Sequence, residues 1–450
     1  MISYSLVAVI ALAALLFGSV EAWALAIVGT LATALFAYSV FAGSEAFGLK
    51  SSRPFLIAAF AVMAVPLIQL VPMPADVVGL LSPEAAALKN VAAGASGFIN
   101  LSLNPYATIN EAARLAVYLM LFLVALLAMK PGEGTEQAAR ALVVFGFALA
   151  VFALIQKATG TNAIYWFRVP AHSDYHVGPF VSRNHYAGFI EMIIPFGLAF
   201  GIMASERAKK ALWFFFSVIM AVSLFFSLSR GGMTSFVSGL FAFGLVMAGI
   251  SGKARRLVPL IFFAVAVICY LLFLGLGPLI DRFEQSGVTD MARFSTWEAA
   301  VGIFTDFPVF GSGLGTFQYI YPRYQPLTTP GFWDHAHNDY IELLVETGIT
   351  GIAAAAFFLY LVIRNILTST GRNLHPALRS AFCASIVSLA VHSTMDFNLH
   401  IPSNAMLFFV VLGLGAGMKG RECSRSDAQR QKLKRSEKED LLLNNEVKQP

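Results

Sequence analysis

The chain has 450 residues, 57% of them hydrophobic and only 13% charged, about half the charged share of a soluble globular protein. With a mean hydropathy of +0.70 a water-soluble fold is excluded, and at roughly 20 apolar residues per bilayer crossing the length holds about a dozen helices and one modest aqueous loop. The net charge is +5, and residues 419–450 alone carry nine Lys/Arg against six Asp/Glu, which makes a mixed, solvated tail rather than a nucleic-acid footprint.

Apolar runs bounded by charge, Gly or Pro predict spans near residues 2–18, 23–42, 55–73, 108–129, 138–157, 185–204, 211–228, 232–250, 257–276, 347–366, 377–395 and 402–418. The fold class is therefore an all-α polytopic membrane protein of about 12 helices. The first run lacks a basic leader and a small-residue cleavage site, so it reads as a retained helix. Cys269, Cys383 and Cys423 are too few and too scattered for a disulfide framework or a thiolate zinc site.

Placing the N-terminus in the cytoplasm puts 22 of the 31 Lys/Arg on the inner side, which is the choice the positive-inside rule makes, with the C-terminus also inside. His172, His176, His185, His335, His337, His392 and His400 then all fall on the outer side, and only His375 inside. That asymmetry points to an extracytoplasmic polar site. Of the outer segments, 74–106 reads as a plain connector, 158–184 is short and dense in His, Arg and aromatics, and 277–346 is the longest and the only one able to fold as a lid.

Five runs carry groups that do chemistry. SLSRGGMTS (227–235) sets Arg230 at a membrane edge where charge is costly; Gly231 and Gly232 allow a tight turn, and the next helix points its N-terminal amides back, as an anion site would. An interfacial arginine snorkelling to headgroups uses the same position. MARFSTWEAAVGIFTDFPVFGSGLGTF (291–317) predicts a helix with Phe294, Trp297, Val301 and Phe304 in one stripe, suited to lying on the membrane, and Arg293 beside it. Arginine grips phosphate bidentately, although stacking of Arg293 on Trp297 is an ordinary alternative. Gly311, Gly313 and Gly315 form a turn, not a nucleotide fingerprint, since no strand precedes them.

WDHAHNDYIELLVETGITG (333–351) gathers His335, His337, Asn338, Asp339, Tyr340, Glu342 and Glu346 where the long loop re-enters the membrane. The acidic residues share one helical face and suit a helix N-terminus, while each histidine offers a base titrating near neutral pH. H-A-H-N-D also resembles the ligand run H-x-H-x-D of metallohydrolases; Tyr340 follows instead of a further His and no D-x-D accompanies it, so no metal and no cofactor are expected. GPFVSRNHYAGFIEM (178–192) places Arg183, Asn184 and His185 at the mouth of a span with Glu191 further in, where an ionisable residue is either functional or paired with a basic neighbour. VHSTMDFNLHIP (391–402) adds His392, Asp396, Asn398 and His400 at the outer end of the eleventh span.

The order S-R-G-G, R-x-x-x-W-x-x-A, P-x-x-G-x-G-x-G-T-F and H-N-D-Y-x-E-L-x-x-E-x-G-x-x-G resembles the bacterial O-antigen ligase and polymerase superfamily over about 178–415. His337 and Asn338, followed after nine residues by Gly348 and Gly351, are similar to the ligase signature, and 178–185 is similar to a segment of exopolysaccharide-type members. The resemblance implies a metal-independent, inverting glycosyltransferase resembling the GT-C type, in the bacterial inner membrane with its site on the periplasmic side. Its donor would be a glycan on a polyprenyl (undecaprenyl) diphosphate, and its acceptor lipid A core for a ligase or another lipid-linked glycan for a polymerase. Arg230 and Arg293 would hold the diphosphate and His337 would activate the acceptor hydroxyl. His335 and Asn338 would support it, and Arg183, Asn184, His185, Asp339, Tyr340, Glu342 and Asp396 would line the substrate site. Other polysaccharide-assembly proteins are conceivable partners beside membrane lipids; nucleic acid is not.

The same resemblance divides the chain into N-terminal helices (1–177), a catalytic membrane domain (178–418, with the loop 277–346) and a charged cytoplasmic tail (419–450). A lipid-borne activated donor is also what the compartment demands, because nucleotide sugars are absent outside the cytoplasmic membrane. A transporter is the rival class. It predicts ionisable groups at mid-membrane in both halves and repeat symmetry, whereas here the polar groups crowd one face after residue 165.

Overall fold

The computed structural model describes residues 1–42, 49–93, 97–128, 133–170, 176–251, 258–274, 287–327, 329, 331–368 and 375–417. The charged tail, His172, Cys423 and most of the basic loop at 252–257 lie outside the described residues, as do the expectations that rest on them.

The membrane helices are α1 (Ile2–Leu15), α2 (Ala22–Ala42), α3 (Leu49–Leu70), then, after a cap described below, α6 (Pro105–Leu123), α7 (Glu133–Ala158), α8 (Arg183–Met203), α9 (Arg207–Phe226), α10 (Arg230–Ser251) and α11 (Val258–Leu274). Eight helices of the described chain are long and apolar enough to cross a membrane, and four shorter apolar helices accompany them. The expected all-α polytopic architecture is therefore what the chain forms. The first two helices join through a turn at Phe17–Ser19, which Arg168 holds by lying 4.1 Å over the Phe17 ring while pairing with Glu21.

Between α3 and α6 run a two-residue strand β1 (Met73–Pro74), α4 (Ala75–Leu81), α5 (Pro83–Ala93) and β2 (Phe98–Ile99), which pairs antiparallel with β1. After α11 come α12 (Gly287–Asp306), α13 (Phe317–Ile320), α14 (Asp339–Thr368), α15 (Pro376–His392) and α16 (Pro402–Ala416). The 74–106 segment is not a plain connector. Val78, Ala85, Ala86 and Leu101 bury themselves against Ala300, Ile303, Phe307, Phe317, Ile320, Tyr321 and Val345 in a second apolar core. The long loop thus completes its core with residues borrowed from 74–106. Gln69 fastens the two, donating to the carbonyls of Phe310 and Glu346 and accepting from the Leu314 amide at 2.9 Å.

In the bundle α8 is central, with 89% of its apolar window buried; it packs on α9, α15 and α7, and α15 packs closely along α10. Small residues permit this, as membrane interfaces require: Gly239 lies against Ser388 and the Ala384 carbonyl. Ser182 caps α8 by accepting the Asn184 amide, and Asn104 caps α6 ahead of Pro105.

Helix α14 is broken at Gly348, where φ 62° and ψ −163° belong to a region open only to glycine. The break lets the backbone of the preceding loop enter: Ile349 N donates to Pro308 O and Thr350 N to Val309 O. Gly311, also at positive φ, sits so close to the Glu346 backbone that no side chain fits there. The G-x-G-x-G run is a turn, as expected, and its task is to dock onto this break.

Candidate functional site

Runs 178–192, 227–235 and 333–351 meet the α15–α16 junction, residues 392–401, and run 291–317 reaches it through the 333–339 loop. Asn338, through its side-chain oxygen, accepts the Tyr340 and Ile341 amides and so caps α14, and its amide group donates to Thr394 O. That ties the 333–339 loop to the junction. Tyr340, more exposed, donates its hydroxyl to Ala390 O. Asp339 is buried and accepts the Leu399 amide at 3.2 Å.

His337 adopts a left-handed conformation (φ 51°), costly for a non-glycine residue and a mark of a site held by its surroundings. Its Nδ1 lies 3.2 Å from Asp396 Oδ1, the ring packs edge-on to Trp333 and Phe397, and the side chain keeps 29% exposure. Burial opposes charge on Asp396, but the His337 hydrogen bond and the potentials of His185, His337 and His392 outweigh it and hold the carboxyl well below the usual carboxylate range. An ionised carboxylate only accepts, so Nδ1 carries the proton and Nε2 presents a lone pair in the neutral ring.

His335 instead stacks on Phe397 at 4.2 Å and bonds Glu342 Oε1 at 2.7 Å through Nδ1. Burial disfavours its charge, yet the Glu342 carboxylate overrides this and raises the imidazole to about 9. His400 Nε2 approaches the same oxygen at 3.3 Å, and burial keeps this histidine below its ordinary value despite Glu342. The other Glu342 oxygen accepts the Ala336 amide. His335, Glu342 and His400 offer three ligand atoms within 4.8 Å of one another, a set that could hold a divalent ion. The H-x-H-x-D run does not converge as a ligand set, because His337 and Asp339 turn to different partners.

Arg293 is half-buried on α12 and makes no ion pair among the described residues. One turn on, Trp297 donates Nε1–H to Ala336 O at 2.9 Å, between the two histidines. Residues four apart share a helix face, so Arg293 is presented on the face of α12 that meets the His337 loop. Trp297 packs with Phe294, not under Arg293. The expected stripe is split: Phe294 and Val301 are exposed, while Trp297 turns inward.

Arg230 opens α10, with Ser229 buried behind it and donating its hydroxyl to Asn184 Oδ1 at 2.8 Å. Arg183 begins α8 in the adjoining position. Gly231 touches the edge of the His392 ring and Met395, which brings Arg230 to the junction that holds Asp396 and His337. His185 is buried with its ring against Phe397. Glu191 pairs with a basic neighbour, His392, at 3.1 Å.

Sequence reasoning missed Phe397, whose ring contacts His185, His335 and His337; a single Phe among 40 carries no signal. A cavity of about 710 Å3 among Tyr4, Glu133, Glu136, Arg140 and Phe145 contains none of these residues. It lies at the end of α7 opposite Lys157.

No curated protein matches the chain. Residues 215–356 match the family model described as O-Antigen ligase, a stretch that takes in Arg230, Arg293, His337 and Gly348. Over that segment the chain is similar to the O-antigen ligase family.

Proposed function

We propose that this membrane protein transfers a glycan from a polyprenyl-diphosphate donor to an acceptor hydroxyl on the periplasmic face of the bacterial inner membrane, in cell-surface polysaccharide or lipopolysaccharide assembly. The observation that carries the reading is the His337–Asp396 pair: a partly exposed imidazole, oriented through Nδ1 and free to accept a proton at Nε2. A general base has to reach the acceptor proton and be held in the right tautomer.

In this scheme His337 Nε2 takes the acceptor proton as the hydroxyl oxygen attacks the anomeric carbon from the face opposite the leaving group. The bond between that carbon and the diphosphate oxygen breaks, and its electron pair leaves with the diphosphate. Inversion follows from the single displacement. Charge builds on the departing diphosphate, so cations placed in advance lower the barrier; Arg293, without an ion pair among the described residues, and Arg230 at a helix N-terminus supply them. Arg183, Asn184, His185, Asp339, Tyr340 and Glu342 frame the substrate, and His335 and Asn338 fix the loop bearing the base. The chemistry needs no metal.

Deletion of the coding sequence followed by electrophoresis of surface glycans tests this. Loss of a ligase leaves bare core while lipid-linked polymer accumulates; loss of a polymerase leaves core bearing a single repeat. Unchanged profiles both in the deletion and in His337→Ala contradict the proposal.

A further inference from the structure

Inside the bundle, directly behind Arg230, lies a charged group that the mechanism above does not use. Glu191 is fully buried in α8, the most enclosed helix, and His392 at the end of α15 is 1% exposed. His392 Nδ1 lies 3.1 Å from both Glu191 carboxylate oxygens, and Ser235 of α10 donates to Oε2 at 2.7 Å. A carboxylate inside a span is costly and persists where it is paired and serves a function.

A pair serving only to join helices would be satisfied at both ends, and this one is not. His392 Nε2 is buried and has no hydrogen-bond partner among the described residues, which is costly for a polar group. That nitrogen faces Gly231, the second residue of α10. A Cβ built there would come 3.0 Å from Nε2 and 2.9 Å from Cδ2, so the bare glycine is what lets the nitrogen lie against the start of the helix. The same point is the start of a 22-residue helix, where the first-turn amides and the helix dipole favour an anion.

We infer that His392 is a further binding residue for the diphosphate: its Nε2–H donates to a phosphate oxygen seated over Gly231, while Glu191 fixes the ring through Nδ1. The inference rests on the diphosphate donor proposed above and adds a neutral, preassembled ion pair to its two arginines. Ser235 and Glu191 act through His392 and are positioning residues. The arrangement also accounts for Gly231 of S-R-G-G, since a side chain there would collide with the His392 ring, whereas Gly232 lies against Ala187.

The test is calorimetric titration of inorganic pyrophosphate into the full-length protein in lipid nanodiscs. His392→Asn keeps an amide where Nδ1 meets Glu191 and removes the arm toward Gly231; it should weaken binding about tenfold, ~1.4 kcal/mol. His392→Gln restores a donor at the Nε2 position and should recover affinity to within about threefold of wild type. Equal weakening by both variants, or wild-type affinity in His392→Asn, overturns the inference and leaves the donor reading standing. Wild-type protein that binds no pyrophosphate contradicts the donor reading itself. Should the His392 variants fail to fold, Gly231→Ala fills the seat from the other side; it should weaken binding comparably, and unchanged affinity there overturns the inference.

Discussion

His337 Nδ1 and Asp396 Oδ1, 59 residues apart in the chain, lie 3.2 Å from each other, joining the long loop to the α15–α16 junction. Removing the ring should abolish transfer. Asp396→Asn should retain the fold and lower the rate by about 10²–10⁴, the worth of a positioned general base, because an amide no longer enforces the proton on Nδ1. Pulse labelling of the lipid-linked pool, with protein amount checked by immunoblot, measures it; a rate within twofold of wild type removes Asp396 from the mechanism.

Trp297, one turn after Arg293, ties α12 to the His337 loop by donating to Ala336 O. Trp297→Phe keeps the ring and loses one hydrogen bond, about 1 kcal/mol of stability, yet should depress transfer by an order of magnitude or more because the arginine and the base lose their common register. Arg293→Lys keeps the charge and loses the bidentate grip, and should be nearly as poor as Arg293→Ala. Full activity in Arg293→Lys would reduce the arginine to a point charge.

Gly348 holds a backbone conformation closed to other residues, against the Val309 carbonyl. Gly348→Ala should cost on the order of 3 kcal/mol and release the loop from α14, seen as proteolytic cleavage in the 305–317 region under conditions that leave wild type intact. Resistance equal to wild type would mean that the break is not what docks the loop.

The His335–Glu342 pair gives stability a definite pH dependence. The folded imidazole titrates near 9 against about 6.5 when unfolded, so its contribution is complete below about 6.5 and is lost as pH rises through 9. Thermal melts between these values should fall more steeply for wild type than for His335→Gln. Parallel slopes would contradict the pairing. The same cluster bears on metal: transfer should survive a strong chelator, and loss restored by a divalent ion would assign one to His335, Glu342 and His400.

The apolar spans were legible in the sequence because each is a local pattern, and the candidate site residues could be named there for the same reason: an arginine at a membrane edge, a histidine before a capped helix. The 74–106 segment was not, since its part of the second core has meaning only against Ile303, Phe307 and Phe317, more than 200 residues on. The opposite fates of His335 and His337 were equally hidden. Two residues apart, they part company through one left-handed turn at His337, and no composition rule announces it. Phe397, which collects three histidine rings, lies in a run noticed only for its polar members.

The most direct measurement is in vitro transfer by the purified protein in nanodiscs, supplied with a polyprenyl-diphosphate-linked glycan and an acceptor lipid, without added metal. The account predicts glycosylated acceptor with inverted anomeric configuration and release of polyprenyl diphosphate, both absent in His337→Ala although that variant is folded. Product formed at the wild-type rate by His337→Ala, or retention of configuration, would contradict it.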